Sequence, residues 1–563
     1  MKKQVWKKLI SAALCAALIA VPMTACSGGG ESETSSGGAS QSSESGASAS
    51  DTGGEETPEG GTISIIAPHS SVCLDAKDIP WIQDLEAKFK EEKGYTIEWT
   101  EIASENWAEK RQTLYATGDI PDIIYGDGST PADVLKFSAL FEDLSDDLDA
   151  MPNVQEMFEA KPMTKYLAEN EDGSIYALSR YSRFWPRTSN HQYINKEWLD
   201  NLGLEVPTTW DELYDVLVAF RDGDANGNGD PTDEIPMDFA PLGTTGFGTF
   251  QPDLLVASTG IPLADSGNSG YYVDNGTVKN FFVEVGFKDS IAFMNKLWNE
   301  GLISQKAFTQ DYSSYQSMGR GGGDENTALV GFTWGWVSLD RFGPTLESQY
   351  VAIPPLSSEE GVEPSWSYES SLNYGTGSVM VSRKTEHKDA CLWLINELYS
   401  QDNSMYQVFG SQDVVLDKTG DKSYTVLGSD DPTIDQGTWQ MMNTFGGCIY
   451  IRDDLDVQLG PDLQQAAEQT KPYDDILDKM EEDNDVLPWS FLKFNESDAT
   501  TLSNNNTALM NYGMSQYSTW ITSGGVEEGW DAYVDTMNGY GLQQNIELVQ
   551  KAFDEYNKVM NEG

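Results

Sequence analysis

The chain has 563 residues, with 90 acidic against 35 basic side chains and a net charge of −55. A field of that sign repels nucleic acid and anionic lipid surfaces, so neither is expected as a partner. The length admits two large domains.

Taken from the start, Lys2, Lys3, Lys7 and Lys8 precede an apolar run from Leu9 to Val21, the pattern of an export signal. The run is too short to span a bilayer. It ends in Met23-Thr24-Ala25-Cys26, which resembles the lipobox of bacterial lipoproteins although Met stands where Leu is usual. That resemblance implies cleavage after residue 25, a lipid on Cys26 and anchoring at the outer face of the cell membrane. The alternative is an ordinary signal with an incidental cysteine. Loss of residues 1–25, with four lysines and no acid, takes the net charge to −59. From Ser27 to Gly60 only Ser, Gly, Glu, Thr, Ala, Gln, Asp and Pro occur, so residues 26–60 cannot bury a core and read as a tether. Its root-mean-square reach is on the order of 30 Å. Anchor plus tether favours the lipoprotein. With Cys15 removed and Cys26 modified, Cys73, Cys391 and Cys448 remain, without a CxxC spacing. Buried thiols are favoured over one disulfide and a leftover.

After the tether, residues 62–67 (TISIIA) read as a strand. Trp81, Ile82, Leu85 and Phe89 form one helical face, opened near Pro80 and closed by Gly94. Residues 95–102 alternate as a strand, 107–117 read as a helix and 122–125 (DIIY) as a buried strand. This β-α-β-α-β opening predicts a parallel sheet in an α/β lobe. Thr209 and Glu212 make a capping box, and Trp210, Leu213, Val216, Leu217 and Phe220 face one side of the helix it starts. Helices are also expected over 386–400 and 542–559, and a strand over 377–382.

The ordered segments 117–125 (TGDIPDIIY), 175–179 (IYALS) and 193–213 (YINKEWLDNLGLEVPTTWDEL) resemble family 1 extracellular solute-binding proteins. Among these, the chain is similar to the larger lipoprotein members related to alginate-oligosaccharide binders. The resemblance runs from about residue 61 to the end and is strongest over 117–240. It implies a two-lobed periplasmic-binding-protein-like α/β fold with a hinge and an interlobe cleft. The implied division is lobe 1 over 61–185 and 376–440, lobe 2 over 186–375, and a mainly helical region 441–563 completing both. Crossings are expected near 179–193 and 368–378. The implied function is capture of a carbohydrate, as an oligosaccharide, by a monomer that hands it to ABC permease subunits without turnover. A peptide-binding transport lipoprotein and a secreted glycoside hydrolase are the alternatives.

Residues 222–234 place Asp222, Asp224, Asn226, Asn228, Asp230, Asp233 and Glu234 around Gly227. Alternating oxygen donors with a central glycine suit a hard cation, and Ca2+ in a structural role fits better than zinc. Asp at the twelfth position departs from the helix-loop-helix pattern. The competing reading is a solvated Asp/Asn/Gly turn.

No GxSxG, HExxH or P-loop lysine motif occurs, and His69, His191 and His387 are the only histidines. The segment Gly319–Asp324 is a glycine loop without the lysine of a phosphate cradle. No catalytic residue is expected. Sugars present flat C–H faces to aromatic rings and hydroxyls to polar rims. Candidates of that kind are Trp185 between Arg183 and Arg187, Trp334 with Trp336, and Trp366 with Tyr368. His69 and Asp127 follow the first and third strands, at the sheet edge where α/β proteins bind ligands. If residues 332–336 (FTWGW) form one strand, Trp334 and Trp336 share an environment.

Overall fold

A computed structural model describes residues 60–562, apart from 127–128, 130, 265–268, 370, 430, 432–433 and 435. The signal segment, Cys26, nearly all of the tether and Asp127 therefore lie outside the described residues.

The opening elements form as their patterns dictate. The strand Thr62–His69 is followed by the helix Pro80–Lys93, whose buried residues are Trp81, Ile82, Leu85 and Phe89. Pro80 opens the helix, and Gly94 closes it at φ 79°, a left-handed conformation that glycine adopts without strain. Thr96–Ala103, the helix Ser104–Thr117 and Ile123–Tyr125 complete the unit. The three strands pair in parallel, with Thr62–His69 in the middle.

The full sheet has five strands, and only that opening part is parallel. Tyr374–Val381 runs antiparallel both to Ile123–Tyr125 and to Leu178–Tyr181. It re-enters after a long excursion rather than through a helical crossover, so no βαβ constraint fixes its direction.

A second sheet orders Tyr350–Ile353, His191–Asn195, Val330–Gly335 and Ile235–Met237. The helix Trp210–Asp222 buries Trp210, Leu213, Val216, Leu217 and Phe220 against it. Thr209 Oγ1 accepts from Glu212 N at 3.2 Å, but Glu212 returns its carboxylate to Thr208 N and Oγ1, each at 2.7 Å. The cap is thus shifted by one residue from the reciprocal box. The helices Glu496–Ser523 and Val526–Gly539 supply Met510, Met514, Tyr517, Trp520, Trp530 and Tyr533 to this same core. The helix Leu542–Glu562 packs Val549 and Phe553 on the hairpin of Tyr271–Asp274 and Thr277–Asn280.

Three segments join the sheets. The first runs from Tyr181 to His191 and the second from Trp366 to Tyr374. They are hydrogen-bonded together: Ser182 N donates to Asn373 O and Glu369 N to Arg187 O, both at 2.8 Å. The third was not apparent from sequence. Residues 449–451 lie on the edge of the first sheet, where Tyr181 N donates to Ile449 O at 2.8 Å and Ile451 N to Tyr181 O at 3.0 Å. The chain then reaches the helix Pro461–Thr470, whose Gln469 accepts from Tyr193 Oη at 2.7 Å and Ser338 N at 3.1 Å in the second lobe. Cys73, Cys391 and Cys448 are buried, and the Cys73 thiol donates to Thr444 O at 2.9 Å.

Candidate functional site

A cavity of about 380 Å³ opens on the first lobe beside the crossings, walled by Arg180, Ser182, Trp185, Thr376, Ser378 and the 444–449 segment, among others. Its geometry follows from three local features. First, Gly126 and Gly447 bring two backbones together: a Cβ on Gly447 would stand 2.9 Å from Gly126 N, and one on Gly126 would stand 2.9 Å from Gly446 O. Only glycine fits at that approach. Second, the buried amide of Gln407 is saturated. Its Oε1 accepts from Tyr125 Oη (2.6 Å), Cys448 N (2.9 Å) and Gly447 N (3.2 Å), while its Nε2 donates to Leu398 O (2.7 Å) and Cys448 O (2.8 Å). It pins the wall loop to the interior. Third, Phe184 has φ 90°, a conformation rare for a bulky residue, and it directs the chain into Trp185.

Trp185 meets Trp336 with ring centroids 6.0 Å apart and planes at 45°. Both are half-buried, one on the first crossing and one at the end of a second-lobe strand. Two half-buried tryptophans that pack on the same cluster as Phe409 and Ile449, beside a cavity walled by Ser182, Thr376, Ser378 and Thr444, suit a ligand with flat apolar faces and polar edges.

The other sequence candidates lie elsewhere. The strand Val330–Gly335 ends before Trp336, so Trp334 and Trp336 do not share an environment. Trp334 is wholly buried against Phe332, whereas the carbonyl of Trp336 is held by His191 Nδ1 at 2.6 Å. Trp366 is also buried, donating Nε1 to Asn190 O at 3.0 Å and packing on Tyr473. Tyr368 Oη donates to Glu481 at 2.6 Å. Arg183 donates to the carbonyls of Arg452 and Asp453, tying the first crossing to the third. Arg187 is paired with Asp474, Asp478 and Glu481, acids that hold its pKa above the ordinary arginine value against the opposing effect of burial. His69 lies 2.7 Å from Ser70 O and 3.6 Å from Glu101. Sequence reasoning missed Arg180, Ser378, Gln407 and the Gly446-Gly447 pair; only the double glycine was visible as a local signal.

Glu369 knots the crossings. Its Oε1 accepts from Ser189 Oγ (2.5 Å), Asn190 Nδ2 (2.9 Å) and Ser189 N (3.2 Å), and burial raises its pKa despite these donors.

In the 222–234 loop, Asp222 is engaged by Arg221 at 2.7 and 3.0 Å and faces solvent. Asn226 and Asn228 donate to Asp233 at 3.0 and 2.7 Å, and Gly229 N donates to Asp224 Oδ2 at 3.0 Å. Asp224 Oδ1 and Glu234 Oε2 are buried without hydrogen-bond partners. Burial raises the pKa of Glu234. Among the described residues no cluster of three or more His, Cys, Asp or Glu side chains is arranged to hold a metal ion.

Comparison with known proteins places these features in context. The family model of bacterial extracellular solute-binding proteins matches residues 77–405. The fructooligosaccharide ABC transporter substrate-binding protein FusA of Streptococcus pneumoniae serotype 4 is 27% identical over 497 residues, spanning 83% of this chain and 86% of that protein. A solute-binding protein of Bifidobacterium longum infantis, described as HMO-binding and ABC-transporter-associated, is 34% identical with a TM-score of 0.80, covering 89% of this chain and 99% of that one. A structure of a FusA EF-hand mutant with fructo-nystose has the same fold, at 23% identity and a TM-score of 0.76 over 88% of this chain and 99% of that one. The chain belongs to the family of bacterial extracellular solute-binding proteins.

Proposed function

We propose that this protein is the capture component of an ABC importer and that its cargo is an oligosaccharide, held between the lobes at the Trp185–Trp336 pair and released intact to a permease. The observation that carries the reading is that pair, one ring from the first crossing and one from the second lobe, in contact beside a hydroxyl-lined cavity. The names of its relatives point the same way: FusA is described as a fructooligosaccharide binder and the bifidobacterial protein as a binder of HMO. The three crossings act as a hinge, and the lobes close on cargo. The mature protein is a monomer tethered through a lipid on Cys26 outside the cell membrane. Thermal-shift screening against glycan and peptide panels tests the reading, because a ligand bound only by the folded state raises the melting temperature. Stabilisation by oligosaccharides supports it; stabilisation by peptides alone contradicts it.

The same reading gives the 222–234 loop a structural Ca2+ that stabilises the second lobe. Support comes from the two buried, unpartnered oxygens of Asp224 and Glu234, which a hard cation would satisfy. Asn226, Asn228 and Asp233 are the further donors, whereas Asp222 is engaged by Arg221. Calcium at about 1,000 times its dissociation constant is expected to add roughly 4 kcal/mol, reversed by chelator. Asp224→Asn with Glu234→Gln should remove the effect. No response of the parent protein to calcium returns the loop to a solvated turn.

A further inference from the structure

Among the described residues, the cavity holds a cation without a counter-charge. Arg180 sits on the strand Leu178–Tyr181 opposite Gly375. A Cβ on Gly375 would lie 2.5 Å from Arg180 Nε, so the glycine is what lets the arginine lie along the sheet. Other arginines of the crossings and the second lobe are engaged. Arg187 meets three acids, Arg452 meets Glu156 at 2.7 and 2.9 Å, and Arg341 donates to Tyr315 O at 2.7 Å. Arg180 has no ion pair with any described residue, in a chain where acids outnumber bases 90 to 35. No Asp or Glu is among the described residues walling the cavity. Beside it, the hydroxyl of Ser378 is buried at 3% exposure, with the Tyr399 hydroxyl as its polar neighbour and no hydrogen bond of good geometry. Burial lowers the pKa of Arg180, with Tyr399 acting in the opposite sense. A guanidinium nevertheless stays charged at any physiological pH.

A half-desolvated guanidinium with a poorly satisfied hydroxyl beside it is an incomplete set of donors. A sugar hydroxyl can accept from it but leaves the positive charge unbalanced. A carboxylate can take two parallel N–H bonds and neutralise it. We propose, building on the oligosaccharide reading above, that the cargo is an acidic saccharide and that Arg180, assisted by Ser378, receives the carboxylate of a uronic acid residue. Trp185 and Trp336 then stack on the rings that flank the charged one.

The test is calorimetric titration of the mature protein with uronate oligosaccharides of several linkages, each beside its own methyl ester, together with neutral, sulfated and phosphorylated glycans. At least one uronate should bind at least about tenfold more tightly than its ester, the scale of one charge-assisted bidentate contact. Arg180→Gln should cut binding of the acid by a similar factor while changing binding of the ester little. The parent's preference for acid over ester decides the matter even if that variant does not fold. Equal binding of acid and ester, or tight binding of neutral glycans alone, overturns the inference and leaves the carbohydrate reading standing. So does an Arg180→Gln effect equal on acid and ester. Preference for sulfated or phosphorylated glycans overturns the carboxylate assignment. Binding of no glycan at all overturns the carbohydrate reading, and this inference with it.

Discussion

The interior of the second lobe and the wall of the first-lobe cavity use tryptophan and arginine in opposite ways. In the interior, Trp334 and Trp366 are sealed and Arg341 is buried beside Asp238. At the cavity, Trp185 and the Trp336 it touches stay half-buried, and Arg180 has no ion pair among the described residues. Residue type therefore does not separate scaffold from candidate site. What separates them is whether the groups already have partners, and that is settled by segments far away in sequence.

The largest effect expected from this contrast is on stability. Trp334→Ala should destabilise the protein by about 3–5 kcal/mol, the cost of a large buried aromatic, as read by chemical denaturation. A loss below about 1 kcal/mol would mean that Trp334 is not the core residue described.

Acid sharpens the comparison next. His191 is fully buried behind Trp336, and burial pushes its pKa down to about 4. The folded value lies below the unfolded one, so the unfolded chain takes up the proton first. Stability contributed by neutral His191 is complete above about pH 6.5 and is lost as pH falls towards 4, by about 3 kcal/mol. His191→Gln should flatten the fall in melting temperature over that window relative to the parent. Parallel curves for the two proteins would place the acid sensitivity in other groups.

At the cavity the prediction has the opposite signature. Trp185→Ala should weaken binding of the identified glycan by about 2 kcal/mol while the ligand-free melting temperature stays nearly constant. A variant that melts early, or binds as the parent does, removes Trp185 from the site.

Much of the scaffold was legible because it is written locally. The face of Trp81, Ile82, Leu85 and Phe89, the stop at Gly94 and the cap at Thr209 all formed where their spacing put them. The candidate site was legible only in part. Trp185 and Trp336 stood out as aromatics away from assigned helix faces, but nothing local distinguishes them from Trp334 and Trp366. Arg183 and Arg187 were attractive as neighbours of Trp185. Arg187 is claimed by Asp474, Asp478 and Glu481, almost 300 residues later, and Arg183 by carbonyls at 452 and 453. Among the described residues Arg180 has no such claimant, a property no window of sequence displays. The parallel sheet was extrapolated from three strands, and the strand returning from the second lobe reversed direction.

Capture between the lobes without chemistry is the central proposal for this protein. Its most direct measurement is calorimetric titration of the mature protein with the stabilising oligosaccharide, followed by chromatography of the sugar recovered from the complex. One glycan bound per chain and recovered at its original length is the predicted result. Shortened sugar, or no heat with any glycan while a peptide binds, would contradict it.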